Sequence, residues 1–152
     1  MANPFPFVAN TVLEAAQLNG IGETTSFTPS WSNVTVGNGT LNYATYVRVQ
    51  NLVFVQVQFT LGSTSAVTGN AFIAAPVTPA NGVQGPCGVA TFGDVSASAT
   101  YTGITSMNIG FLQAIPVNVA GTYGVFAPTS ATIPFTWTTG DVIAFEASYR
   151  VA

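Results

Sequence analysis

The chain has 152 residues, 48% of them hydrophobic and only 5% charged, where soluble domains carry roughly 25% charged residues. Two arginines, no lysine, no histidine and a net charge of −3 cannot build a phosphate-tracking stripe, which excludes nucleic acid as a partner. No apolar run approaches the ~20 residues of a membrane helix, so no membrane insertion is expected, and the single Cys87 excludes an internal disulfide.

Residues 1–9, MANPFPFVA, are apolar, with prolines at 4 and 6 that hold the segment extended. The segment lacks the basic n-region of a secretory signal. Phe5, Phe7 and Val8 need a surface to dock on, either the chain's own domain or a neighbouring subunit. Residues 11–19 predict the one helix. Thr11-Val12-Leu13-Glu14 reads as a capping box, Val12, Ala15, Ala16 and Leu18 supply an apolar stripe, and Asn19-Gly20 stops it. Two helical turns are not stable alone in water, so Leu13 and Leu18 are candidate docking residues as well. Residues 1–22 are thus expected to form an attachment arm with a short helix, and residues 23–152 a β domain.

From Glu23 onward the pattern is all β. Short strands are expected over residues 24–27 and 31–36, the latter closed by Gly37-Asn38-Gly39. The strongest strand signal follows over residues 42–61, NYATYVRVQNLVFVQVQFTL, two alternating runs joined by a polar turn. A two-residue loop at Gln50-Asn51 would pair Arg48 with Val53 and set a guanidinium among the valines. A three-residue loop over residues 49–51 pairs Arg48 with Leu52 instead, and places Val47, Thr45 and Tyr43 opposite Val53, Val55 and Val57. A one-residue slip exchanges the two faces, and the longer loop is the reading that keeps the charge out of the core. Tyr46, Arg48, Phe54, Gln56 and Gln58 then share an outer face and are candidates for a subunit interface.

Further strands are expected over residues 71–75, 87–95, 97–104, 106–113, 121–126 and 142–151. In the last, Ile143, Phe145, Ala147, Tyr149 and Val151 share one face, opposite Glu146 and Arg150. Nine or ten short strands punctuated by Gly and Pro predict an all-β fold, an antiparallel β-sandwich of jelly-roll type preceded by the arm and helix.

General acid–base, nucleophilic and metal chemistry draw on His, Lys, Cys or clustered carboxylates. Here Cys87 has no His to pair with, and the five acids, Glu14, Glu23, Asp94, Asp141 and Glu146, are scattered singly. Asp94 and Asp141 could meet only through the fold. No catalytic set, metal site or cofactor is expected. Cys87 reads as a small buried hydrophobe. Trp31 and Trp137 are candidate glycan-stacking rings, against the alternative that they belong to the core. Two Asn-x-Thr triplets, at Asn33 and Asn38, read as chance in a chain this rich in both residues. A monomer of this length exposes on the order of 7,000 Å². Seven charges then amount to about one per 1,000 Å², a density suited to a subunit covered by others.

Three stretches carry a family resemblance. NTVLEAAQLN, residues 10–19, resembles the opening motif of many tailed-bacteriophage fibre-like and minor structural proteins. Residues 27–76 are similar to the module that follows it there, with an FTPSW start, a VGNGT turn, Tyr46-Val47-Arg48, the hairpin and the LGSTSAVTG loop. IPFTWTTGD, residues 133–141, resembles the closing motif before the last strand. The family often has Gly at the position of Gln50. The resemblance implies a non-enzymatic β-sandwich on the outer surface of the virion, commonly a homotrimer. Its partners would be its own copies, other virion proteins and a host-surface glycan. A tail-fibre or tail-tip module is the first expectation, a capsid decoration or head-fibre protein the alternative, and a free carbohydrate-binding module a third reading from a different class.

Overall fold

Strands built on alternating β-branched and aromatic residues dominate the computed structural model, which describes residues 22–119 and 124–152. In chain order they are β1 (Thr24–Ser26), β2 (Trp31–Thr35), β3 (Thr40–Val49), β4 (Leu52–Thr60), β5 (Ala66–Ala74), β6 (Gly85–Asp94), β7 (Ala99–Asn108), β8 (Phe111–Asn118), β9 (Val125–Phe126) and β10 (Val142–Arg150). The pairing is antiparallel throughout. One hydrogen-bonded path runs β1-β3-β4-β10-β6-β7-β8-β5-β2, with β9 on β8. The all-β, antiparallel expectation holds. The helix expected over residues 11–19, the arm residues Phe5, Phe7, Val8, Leu13 and Leu18, and residues 120–123 lie outside the described residues.

The sheet curls over on itself. Trp31, on the terminal strand β2, packs 5.2 Å from Phe59 of β4 and 5.8 Å from Phe145 of β10, centroid to centroid. The space enclosed is lined by Val53, Val55, Val57 and Phe59 from β4, and by Ile143, Phe145, Ala147 and Tyr149 from β10. Phe92, Met107, Leu112 and Ile73 complete it from β6, β7, β8 and β5. Each fully buried side chain of this size contributes on the order of 1.5–3 kcal/mol. The inward faces expected for β4 and β10 are the ones observed.

The hairpin register is a correction. Val49 closes against Leu52, Arg48 pairs with Val53, Tyr46 with Val55 and Ala44 with Val57. The loop is therefore the two residues Gln50 and Asn51, and Gln50 takes the left-handed conformation at φ 53°. Positive φ at the first loop residue is what the tight primed hairpin turns require. Arg48 faces inward at the open end of the sheet, where its charge finds carbonyls. Its Nε donates to the Gln50 carbonyl at 2.7 Å and its Nη2 to the Ala152 carbonyl at 3.1 Å. Hydrogen bonding at the rim removes the penalty that the longer loop was invoked to avoid. Asn42 is the extra residue of a bulge between Leu41 and Tyr43, and its Nδ2 bridges Gln58 Oε1 and Thr60 Oγ1.

A second correction concerns β7 and β8. Strands were expected over residues 97–104 and 106–113, but the turn falls at Ile109-Gly110, closed by Asn108 and Phe111. Both turn residues have positive φ, 47° and 85°, the pattern of a two-residue type I′ loop. A β-branched residue rarely adopts this conformation, so Ile109 reads as strand in the sequence.

Candidate functional site

The outer face of the five strands β1, β3, β4, β10 and β6 departs from an ordinary solvent-exposed sheet. Cross-strand partners share a face, so the register defines its rows. One row runs Ser26, Thr45, Gln56, Glu146 and Val89 across all five strands. The row beside it runs Thr24, Val47, Phe54 and Ser148. A shallow groove of about 360 Å³ lies across them, with Thr24, Val47, Phe54, Gln56, Val89 and Glu146 among its lining residues. Towards the hairpin turn the face continues through Val49 and Leu52, with Arg150 opposite Leu52.

On this face exposed apolar side chains stand among mostly neutral polar ones. Phe54 and Val89 are 47% and 48% exposed, and Tyr43, Val49 and Leu52 are exposed beside them. Glu146 is the groove's carboxylate, and Gln56 Nε2 donates to its Oε1 at 3.4 Å. Val47, Val49, Leu52 and Phe54 adjoin on this face, and grouped apolar side chains of this kind mark interaction sites.

Of the expected interface residues, Phe54, Gln56 and Gln58 do stand together on this outer face. Tyr46 and Arg48 do not; the register turns both to the opposite face. Tyr46 packs edge-on against Phe27 with centroids 6.0 Å apart. Their places are taken by Tyr43 and Val47, which the sequence pattern turns inward, and by Val49, which it places in the loop; Val89 joins them from β6. The available signal was the polar pair Gln50-Asn51 itself, which a two-residue hairpin loop accommodates and which sets this register.

Trp31 and Trp137 are both half-buried against the core. Trp31 lies on Phe59 and Phe145. Trp137 packs against Phe135 with centroids 4.6 Å apart and ring planes tilted by 47°, and donates its indole N–H to the Ser130 carbonyl. Neither ring is presented as a flat, open platform for a sugar.

Cys87, Asp94 and Asp141 have structural partners. Cys87 sits at the bulge of β6, its Sγ donates to the Thr105 carbonyl, and burial pushes its thiol up to about 11. A thiol so raised stays protonated at neutral pH, and the thiolate is the nucleophilic form. Asp94 and Asp141 do come close, at the opposite end of the sheet. Asp141, fully buried, accepts from the Val95 amide at 2.9 Å and from the Thr138 amide and hydroxyl. Asp94 accepts from the Ser96 hydroxyl and the Ala97 amide, which hold its carboxyl below the usual range. Both acids tie turns together: Asp94 ties 94–97, and Asp141 ties 138–141 to the residue that follows Asp94.

Comparison of the chain with protein-family models, with curated proteins and with solved structures gives no match.

Proposed function

We propose that this chain is a non-enzymatic surface protein of a bacteriophage virion, a homotrimeric knob of jelly-roll-like sandwich type attached to the particle through residues 1–22. Within that class we read it as a minor structural protein of tail-fibre or tail-tip type. The reading rests on the ordered motifs at residues 10–19, 27–76 and 133–141. The observation that carries its assembly part is the outer sheet face, where Phe54, Val89, Tyr43, Val49 and Leu52 lie exposed. In a chain with seven charges, such a face has little to keep copies apart and much to gain from contact.

Light scattering on the purified chain at micromolar concentration tests the assembly: a trimer or larger is expected, and a monomeric mass overturns it. Deletion of residues 1–20 is expected to leave a folded β domain that no longer joins particles. Immunogold labelling of particles locates the protein, with tail label expected and head label favouring the capsid-decoration alternative. Clean lectin behaviour of a monomer on a glycan array would instead support the carbohydrate-binding reading.

A further inference from the structure

We propose that Asn81 is a site of spontaneous covalent modification, where the side-chain amide converts to aspartate and isoaspartate through a cyclic imide formed with Gly82. Asn38-Gly39 and Asn81-Gly82 are the two Asn-Gly pairs among the described residues; Asn19-Gly20 lies outside them. Glycine suits the second position because no side chain shields its amide nitrogen. Asn38 and Asn81 are both exposed, so exposure does not separate them. Hydrogen bonding does.

Asn38 is held at both polar atoms of its side chain. Its Nδ2 donates to Ser63 Oγ at 3.0 Å, and its Oδ1 accepts from the amide and the hydroxyl of Thr64, each at 2.9 Å. The Gly39 amide that would attack it donates to the Val36 carbonyl at 2.9 Å, and Gly39 lies close against the Phe59 ring. Reaction at Asn38 therefore requires this turn to open first. Asn81 stands at the tip of a turn closed by Val83 N–H donating to the Ala80 carbonyl at 3.1 Å. Gly82 has φ 80°, the left-handed conformation that a type II turn asks of its third residue. Nothing lies within 4 Å of where its Cβ would stand. Among the described residues, no hydrogen bond holds the Asn81 side chain or the Gly82 amide. Behind the tip the loop is fastened to β10: Ala80 N–H donates to the Arg150 carbonyl at 2.9 Å, and the Tyr149 hydroxyl to the Val77 carbonyl at 3.0 Å. The tip can thus react while the sheet stays folded.

In the first step the Gly82 nitrogen attacks Asn81 Cγ. The N–Cγ bond forms and the Cγ–Nδ2 bond breaks. Nδ2 leaves as ammonia, carrying the proton lost by the Gly82 nitrogen. Water then opens the imide at one of its two carbonyls. One opening gives aspartate; the other routes the main chain through Cγ and gives isoaspartate. Each event adds one carboxylate to a chain of net charge −3, on a surface otherwise nearly free of ions. Nothing in this chemistry depends on the virion reading.

The test incubates the full folded chain in mildly alkaline buffer. Trypsin can cut only after Arg48 and Arg150, so Asn38 falls in the fragment 1–48 and Asn81 in the fragment 49–150. Fragmentation mass spectrometry then locates the conversion, and labelling by an isoaspartyl methyltransferase measures the isoaspartate. Conversion at Asn81 should run about tenfold or more faster than at Asn38, whose bonds must first be released. In urea sufficient to unfold the chain the two rates should converge, chiefly through acceleration at Asn38. Asn81→Gln should abolish the isoaspartate in fragment 49–150, because the longer side chain would have to close a larger ring. Equal rates at the two asparagines of the folded chain overturn the proposal. So does a rate difference that survives unfolding, and so does isoaspartate that persists in fragment 49–150 of the Asn81→Gln variant.

Discussion

Each face of the β3–β4–β10–β6 sheet carries a set of large apolar side chains, and the two sets have opposite fates. Inward, Val53, Val55, Val57, Phe59 and Phe145 are closed over by β2, whose Trp31 lies across Phe59 and Phe145. Outward, Val47, Val49, Leu52, Phe54 and Val89 have no comparable cover among the described residues. Hydrophobicity alone does not separate these two sets, because both are built mainly of Val and Phe. Cover separates them, and cover is a property of the curled sheet. An apolar face left open on a chain with so few ions is a contact surface in waiting.

Substitution should expose the contrast most sharply at two phenylalanines. Phe145→Ala in the enclosed face should cost about 3–5 kcal/mol of unfolding free energy, whereas Phe54→Ala in the open face should cost less than about 0.5 kcal/mol in the isolated chain. Urea denaturation of both variants measures the gap, and similar losses would mean that the outer face is already closed over.

Asp141→Ala should follow at about 3 kcal/mol, since it strands the donors of Val95 and Thr138 that the buried carboxylate holds. This tests whether the enclosed side depends on its polar end as well as on its apolar lining.

Alkaline pH should weaken the enclosed side next. Burial raises Cys87 from 9.0 to about 11 and Tyr149 from 10.0 to about 12. In both, the unfolded chain ionises first. Stability is therefore fully present below about pH 9 and is lost as pH rises towards 12. Thermal melts across this range should show the fall, and Cys87→Ala should remove its earlier part. A flat profile would show that these groups are as solvated folded as unfolded.

The smallest effect concerns the register that separates the faces. Gln50→Gly should raise stability by about 0.5 kcal/mol, because glycine adopts the left-handed conformation without the Cβ penalty. A loss of stability would favour the three-residue loop, and with it the reversed assignment of β3.

Some of this architecture was legible residue by residue. Alternation in residues 53–59 and 143–151 marked the inner faces of β4 and β10, because each has polar or charged residues between its apolar ones. The same rule misled in β3. There Tyr43, Val47 and Val49 look more apolar than Ala44, Tyr46 and Arg48, so the pattern pointed the wrong face inward. It also missed the turn at Ile109-Gly110, since nothing local announces that an isoleucine will take positive φ. The β4 part of the outer-face site, Phe54, Gln56 and Gln58, was legible for the same reason that the inner face of β4 was.

The sequence by itself determined the class of the molecule: β-branched alternation with Gly and Pro punctuation can bury its apolar residues only as antiparallel sheet. It also determined a surface almost without ions, a matter of composition. Only the tertiary structure decided which face of β3 is covered. That choice depends on a two-residue turn, on carbonyls of Gln50 and Ala152 that satisfy Arg48 at the rim, and on β2 arriving from the far end of the sheet. Those partners are distant in sequence, and the energy that sets the register lies in their contacts rather than in the strand's own pattern.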